Sequence, residues 1–365
     1  MKKEIDVVIP SFRLHADILQ AIFSLPIPND TTIHFFLVAD NPTVQVPTAI
    51  KELASSGKIK LIVNETNIGF SKTRNKGMHA GSAEWILLLD DDIVPSSSLL
   101  FEYSKAIDKY SSSIGFMGVT EFPEPFNTVT QSLFLMGAVG HFQSAKFHKT
   151  LRWAPTANVM LNRKLLGKRA FNPALIFGGE DISLLTLNSF ENNQQYIGVP
   201  SAFVTHPWWD NGKSQMKRMF RYGKGTADIL DEKHIKPYSY LDFSNTSESI
   251  LILLLFFLFS LLTPLNPLFF LKLIGVVLLT ECFTCLVRSI VLSGKFSLPL
   301  AWHIMLHKNA SEAGTVVRHL QKGRVSNLFK RVDVGFSKPH PSPFRLNRWK
   351  IIKIISMIFL LLFII

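Results

Sequence analysis

The stretch WILLLDDDIVP, residues 85–95, carries five apolar residues straight into three consecutive aspartates. A short, unbroken apolar run bounded by polar residues reads as a buried strand. Three adjacent carboxylates repel one another, and packing does not call for them. Two explanations are open. The acids form a solvated strand end before a helix start, which Pro95 and the serines after it suit. Alternatively they hold a divalent cation, because a hard ion such as Mg²⁺ or Mn²⁺ takes oxygen ligands and relieves the repulsion.

The surrounding chain decides the fold class. IDVVIP (5–10), IHFFLVAD (33–40), KIKLIV (58–63) and WILLLD (85–90) read as strands, with helical stretches near 14–24, 71–81 and 97–110. Alternation of this kind belongs to an α/β domain on a largely parallel sheet. The second and fourth strands both stop at an aspartate. Ligands of open α/β sheets gather at the carboxyl ends of strands, so Asp40 and the aspartates after Leu89 are expected to line one crevice. The glycines form neither a dinucleotide fingerprint nor a phosphate-binding loop.

Composition changes near residue 246. The 365 residues are 47% apolar, include 30 phenylalanines and still carry a net charge of +12. That mixture suits a membrane-bound protein with a basic cytosolic face better than a nucleic-acid binder, for which no reading motif is present. SILILLLFFLFSLL (249–262) and LFFLKLIGVVLLTECFTCLVRSIVL (268–292), joined across TPLNP, read as a transmembrane helical hairpin. A buried helical core would need far more polar chain around it. Glu281 and Arg288 share one face of the second run, which should pack against protein. Residues 293–350 form a basic segment: from 294 on it holds eleven Lys/Arg against two acids, so it is expected in the cytosol, on the same side as the N-terminal domain. Residues 351–365 span the bilayer or dip into it, with Lys350 and Lys353 snorkelling. Cys282 and Cys285 lack the second pair of a zinc site and read as incidental membrane-helix residues. The N-terminus lacks a signal-peptide core.

Against that frame, NETNIGFSKTRNKGMHAGSAEWILLLDDDIVP (64–95), with VVIPSFR at the start and VADN at a strand end, resembles the nucleotide-sugar half of family 2 glycosyltransferases of the GT-A fold. ANVMLNRKLL and FNPALIFGGEDISLL resemble the acceptor half. The resemblance covers roughly residues 4–230; each motif is weak alone, and their order and spacing make them specific together. It implies a GT-A domain over 1–230, and the composition then leaves a linker over 231–248 before the hairpin over 249–292. The resemblance places Asp40 on the donor base, Arg74 and Asn75 towards the nucleotide, Asp90 on the ribose and Asp92 on a Mg²⁺ or Mn²⁺ ion, with Asp91 pointing elsewhere or assisting. Arg74 suits a phosphate because its planar fork makes paired, charge-assisted hydrogen bonds.

GGED implies the other half of the reaction. A sugar hydroxyl is a poor nucleophile, and Asp181, with Glu180 beside it, matches the family's general base. Taken alone, Asp181 also suits the cap of the helix that follows. His206 stands where related enzymes often add a histidine to the metal; a packed or capping residue is the plain alternative. Trp208 and Trp209 stack on an acceptor sugar or sit at the membrane interface. Gln215 and Arg218 fit the Q-x-x-R-W motif of processive members, but Met219 replaces its tryptophan, which puts polymerisation in doubt. Arg218 and Arg221 are candidates for the diphosphate, and Met216, Met219 and Phe220 for an apolar helix face on the bilayer. The expected activity is inverting transfer from a nucleotide-diphospho-sugar to a lipid-linked or growing glycan at the cytosolic membrane face. The alternatives are transfer to polyprenyl phosphate and a non-catalytic membrane sensor or scaffold.

Overall fold

The computed structural model describes residues 2–364. In chain order the elements are β1 (Lys3–Ser11), α1 (Ala16–Phe23), β2 (Thr31–Ala39), α2 (Thr48–Ser55), β3 (Ile59–Val63), α3 (Phe70–Ala80), β4 (Trp85–Leu89), β5 (Val94–Pro95), α4 (Leu99–Lys109) and β6 (Gly115–Glu121). Next come α5 (Thr128–Leu135), α6 (Ser144–Phe147), β7 (Thr150–Leu151), β8 (Asn158–Asn162), α7 (Arg163–Leu166), α8 (Glu180–Glu191), β9 (Tyr196–Thr205) and α9 (Met216–Ile229). The chain ends with β10 (Ser239–Leu241), α10 (Thr246–Ser260), α11 (Pro267–Ser293), α12 (Leu298–Gln321), β11 (Lys330–Val332) and α13 (Arg348–Ile364). Two compact units emerge. The first is Met1–Glu124, Val139–Ile176 and Glu180–Trp208; the second is Pro125–Ala138, Phe177–Gly179 and Trp209–Ile365.

The first unit is the α/β domain expected from the strand pattern. Its sheet runs β3-β2-β1-β4-β8-β6-β9-β5, with β7 on β9. β3, β2, β1 and β4 are mutually parallel, β8 runs against β4 and β6, and β9 is parallel to β6. The carboxyl ends of β1, β2, β4, β6 and β9 therefore share one edge of the sheet. The strand order reverses between β1 and β4, which opens the crevice where such sheets bind ligands. All five residues of β4 are buried, as an unbroken apolar run covered on both faces demands.

The second unit is helical, with a small β10–β11 ribbon. α9 and α12 lie backbone to backbone. A Cβ on Gly223 would collide with the Ser311 carbonyl oxygen, and one on Gly314 with that of Phe220. This contact draws Trp209 onward into the second unit, whereas the sequence reading ran its first domain to residue 230. Residues 293–350 likewise contain the 24-residue α12, which its mixed charge had concealed.

A buried ionic cluster ties four helices together. Glu281 of α11 accepts from Lys308 (2.8 Å) and Asn309 (3.1 Å) of α12, Thr246 Oγ1 of α10 (2.8 Å) and Lys353 of α13 (2.6 Å). Lys308 also pairs with Glu312 at 2.7 Å, whose other oxygen accepts from Thr246 N at 2.9 Å. The expected packed face of Glu281 is thus present. The snorkelling reading of Lys350 and Lys353 is corrected, since Lys353 turns inward to Glu281 and Lys350 pairs with Asp242 at 2.7 Å. A carboxylate in an apolar helix is expensive without a cation, and Lys308 and Lys353 both pair with Glu281.

Candidate active site

The three aspartates after β4 do different things. Asp91 is buried and turns towards the end of β1. It accepts from Ser11 Oγ (2.8 Å), Phe12 N (3.1 Å), Arg13 N (3.2 Å) and Arg13 Nη1 (2.6 Å). Its carboxylate pins the turn after β1 to the turn after β4, fixing the crevice wall. Asp90 and Asp92 flank it in the turn after β4 and meet other partners, Asp90 facing Arg74 and Asp92 facing His206. Arg13, to which the sequence reading gave no role, bridges Asp91 and Asp92, its Nη1 standing 3.0 Å from Asp92 Oδ2. Its sequence signal was its place at the end of VVIPSFR, just beyond a strand.

Asp90 leads to the carboxylates of α8. Arg74, from the first turns of α3, is buried and donates to Glu180 Oε1 (2.8 Å) and Asp90 Oδ1 (3.3 Å). Burial works against its charge, but Asp90, Glu180 and Asp181 hold it protonated. Glu180 and Asp181 open α8 after Gly178 and Gly179, whose φ of 115° and 87° glycine adopts freely. Asp181 Oδ1 accepts from the adjacent Ile182 N at 2.8 Å. Asp181 is the second residue of α8 and not the residue that precedes the helix, so it does not occupy the cap position. Burial first, and then the charge of Glu180, push Asp181 up to about 7. Burial also raises Asp90, with Asp92 and Asp91 adding to it and Arg74 opposing. The pocket holds more carboxylate than Arg74 and Arg13 neutralise, a charge balance that suits a bound cation.

Asp90, Asp92 and His206 each offer one ligand atom, all within 4.8 Å of one another. His206 follows β9 and stacks on Phe122 at 5.0 Å. Its Nδ1 lies 2.6 Å from the Pro207 carbonyl, which can only accept, so that nitrogen carries the proton. Nε2 is left facing Asp92 Oδ1 at 3.2 Å. A histidine whose far nitrogen donates to a carbonyl is the usual arrangement of a metal ligand. Two carboxylates and one imidazole suit a hard divalent ion such as Mg²⁺ or Mn²⁺. Burial lowers His206, but its hydrogen bond to Asp92, the charges of Asp92 and Asp90 and its bond to the Pro207 carbonyl together outweigh this and hold it above its ordinary range. The residues fit the cation that the sequence implied.

Other expectations need correcting. Asn75 does not face the crevice. Its amide donates to the Phe171 carbonyl (2.8 Å) and accepts from Phe171 N (2.9 Å), pairing as a neighbouring strand would. Asp40 is buried and occupied by Asn64 Nδ2 (2.8 Å), Ile68 N (2.9 Å) and Gly69 N (3.0 Å). It shapes the loop before α3, and little of its accepting capacity remains for a base. Trp208 is 4% exposed, donates to the Pro123 carbonyl at 2.9 Å and packs on Phe122, so it backs the His206 ring. Trp209, 6% exposed in the second unit, lies 4.8 Å from the Arg218 guanidinium. Arg218 is further held by Gln215 at 2.9 Å. Met219 is buried, which removes it from any bilayer-facing surface.

Comparison with known proteins gives these groups a context. An uncharacterized glycosyltransferase of Haemophilus influenzae is 25% identical over 150 residues, 37% of this chain. The chain spans about half of that relative's length, 50%. Among solved structures, the mannosyltransferase PcManGT of Pyrobaculum calidifontis, in complex with GDP-Man and Mn²⁺, is 14% identical, with 99% of this chain and 87% of that one covered and a TM-score of 0.48. TarS of S. aureus is 18% identical, with 63% and 40% covered and a TM-score of 0.43. Residues 6–172 match the model of the family described as Glycosyl transferase family 2. Over this stretch, less than half of the chain, the protein is similar to family 2 glycosyl transferases, and the stretch lies on the α/β sheet that carries the acidic strand end.

Proposed function

We propose that the chain is a membrane-anchored, inverting glycosyltransferase. It moves a sugar from a nucleotide-diphospho-sugar to a hydroxyl of a lipid-linked or growing glycan at the cytosolic membrane face. The observation that carries the reading is Asp181, a carboxylate poised at about 7, grouped through Glu180 and Arg74 with the acidic strand end. A base of that strength takes a proton from a hydroxyl as attack proceeds and holds it at pH 7. Asp90, Asp92 and His206 would hold a divalent ion, which would supply charge stabilisation to the departing diphosphate. Arg74 and Arg13 add fixed positive charge. Asp40 orders the loop that borders the donor, and Arg218 is proposed for the diphosphate. One base and one displacement give inversion. A detergent-solubilised preparation, given metal, acceptor extract and a panel of nucleotide sugars, is expected to release nucleotide diphosphate with one or a few donors. Binding of a donor without release over any acceptor or water would leave a sensor in place of an enzyme.

The membrane part of the reading rests on α11. Among the described residues it alone is long and apolar enough to cross a bilayer; α10 is shorter. The Glu281 cluster sets the depth. Charged groups of α11, α12 and α13 meet there at one level, halfway along α11, and burying them all in hydrocarbon would be costly. With the cluster at the headgroups, Pro267–Thr280 reaches about 21 Å at ~1.5 Å per residue, short of the ~30 Å hydrocarbon core. We therefore propose that the α10–α11 hairpin enters the membrane from the cytosolic side and turns within it. In a chain with Cys282 and Cys285 replaced, Asn266→Cys is expected to escape an impermeant thiol reagent outside intact cells. Lys322→Cys should label only after permeabilisation. Labelling of Asn266→Cys from outside would establish a crossing instead.

A further inference from the structure

We propose that a groove in the second unit, walled by α9, α10, α11 and α12, holds the hydrocarbon chain of a phosphate-headed lipid carrier. The inference rests on the reading of the chain as a transferase with a lipid-linked acceptor, and names that acceptor's anchor and its seat. The groove has a volume of about 690 Å³ and takes its apolar walls from Met216, Phe220, Ile250, Leu278, Leu306 and Ala313. Its size and lining are those of a small-molecule site. Thr246, Ser247, Glu281 and Asn309 border one end. Those groups already serve one another. Glu281 takes Thr246 Oγ1 and Asn309 Nδ2, and Glu312 takes the backbone N–H groups of Thr246 and Ser247. An apolar occupant therefore leaves the bonds of that cluster intact.

Two features choose a lipid over another apolar ligand. The groove is continuous with the apolar surface of α10 and α11: Leu278 lines it and is still 47% exposed, and Leu254, Leu255 and Leu258 of α10 are exposed as well. A chain can slide in sideways from hydrocarbon without passing through water. The rim on α9 is cationic. Lys217 lines the groove and Arg221 stands one turn further on, both exposed and neither ion-paired among the described residues. The only acid of α9, Asp228, is consumed by Arg318 and Lys322 at 2.7 Å each. Lys217 and Arg221 lie four residues apart on one helix face, spaced to receive a phosphate whose tail lies against Phe220.

The test uses the full chain in nanodiscs of zwitterionic phospholipid, with a diazirine-bearing isoprenoid phosphate as probe. Photo-crosslinks are expected on groove residues of α9, α10 and α12. They should fall about tenfold in Lys217→Glu, as for loss of one charge-assisted contact, and similarly in Ala313→Trp, which fills the groove. Excess phosphatidylglycerol should compete poorly. Circular dichroism verifies folding of Ala313→Trp, and the exposed Lys217→Glu carries the test if that variant misfolds. Crosslinks spread over the outer faces of α10 and α11 and unchanged in both variants overturn the inference, as does equal competition by phosphatidylglycerol. Donor-dependent nucleotide diphosphate release is read on the same preparations. Transfer to a glycan without groove crosslinks removes the groove and keeps the transferase; groove crosslinks without turnover on any donor do the reverse.

Discussion

Asp181→Asn is expected to lower turnover on the order of 10²–10⁴-fold while donor affinity stays within a few-fold of the parent, the usual scale for losing a general base. The substitution keeps the shape of the side chain and its bond to Ile182 N, and removes only the group that can take a proton. The parent's kcat/KM should rise with pH and level off above about 7, as Asp181 loses its proton, and the variant should lack that limb. Stability moves the other way. Burial and Glu180 raise the folded carboxyl to about 7 from an unfolded value near 4, so between those limits the folded chain binds the extra proton. Folding stability of the parent therefore falls as pH rises from about 4 to about 7, by on the order of 2–4 kcal/mol, and is level above that. Asp181→Asn escapes this loss and should melt higher than the parent at pH 8, with little difference at pH 4. Calorimetry of donor binding, product formation and thermal melts on one preparation decide the matter. Normal turnover of the variant would move the base elsewhere, with Glu180 the next candidate although Arg74 holds it.

That separation of function from stability shows what the residues alone reveal. The first four strands were readable because each is a run of apolar residues stopped by a turn, and their observed limits differ from the expected ones by about two residues. β6, β8 and β9 were harder: Gly115 and Gly118, the brevity of ANVMLN, and Gly198 with Pro200 each blur the strand pattern. α12 was hidden by its composition, since His303, Lys308, Glu312 and Arg318 made the segment read as a basic loop. Within the site, the strand ends placed Asp40 and the aspartates after Leu89 along one crevice and the family resemblance added Arg74, Asn75 and Asp181, but neither gave the direction of each side chain. Asn75 and Asp40 spend their polar atoms on backbone groups of Phe171, Ile68 and Gly69, partners that no local pattern names. The pairing of Lys353 with Glu281 is of the same kind. It joins two residues far apart in sequence, and an apolar helix carrying one lysine looks alike whether that lysine turns to water or to a buried acid.

Asp92→Ala is expected to reduce transfer by roughly 10²–10³-fold and to remove its dependence on added Mg²⁺ or Mn²⁺, about what deleting one group that stabilises developing charge does. Asp92 is the acid that faces His206 Nε2, while Asp90 is shared with Arg74, so its loss leaves the cation one imidazole and a compromised carboxylate. Effects on folding should nearly cancel. The variant strips Arg13 and His206 of a partner, yet relieves the repulsion that helps raise Asp90, and a change within about 1 kcal/mol is expected. Asp91→Asn provides the contrast. Its parent carboxylate accepts four hydrogen bonds from Ser11, Phe12 and Arg13 and contributes none of the three ligand atoms, so the loss should appear mainly as stability, about 1–3 kcal/mol, with metal affinity preserved. Mn²⁺ binding followed by electron paramagnetic resonance reads the site without reference to turnover. It should be abolished in Asp92→Ala and retained in Asp91→Asn. On that outcome the repulsion among the three aspartates would have a physical resolution: the middle one is neutralised inwardly by the turn after β1, and the outer two, paired with Arg74, Arg13 and His206, would share a cation. Full activity of Asp92→Ala in chelator-treated buffer would remove the metal from the reaction and leave Arg13 and Arg74 to carry the diphosphate charge alone.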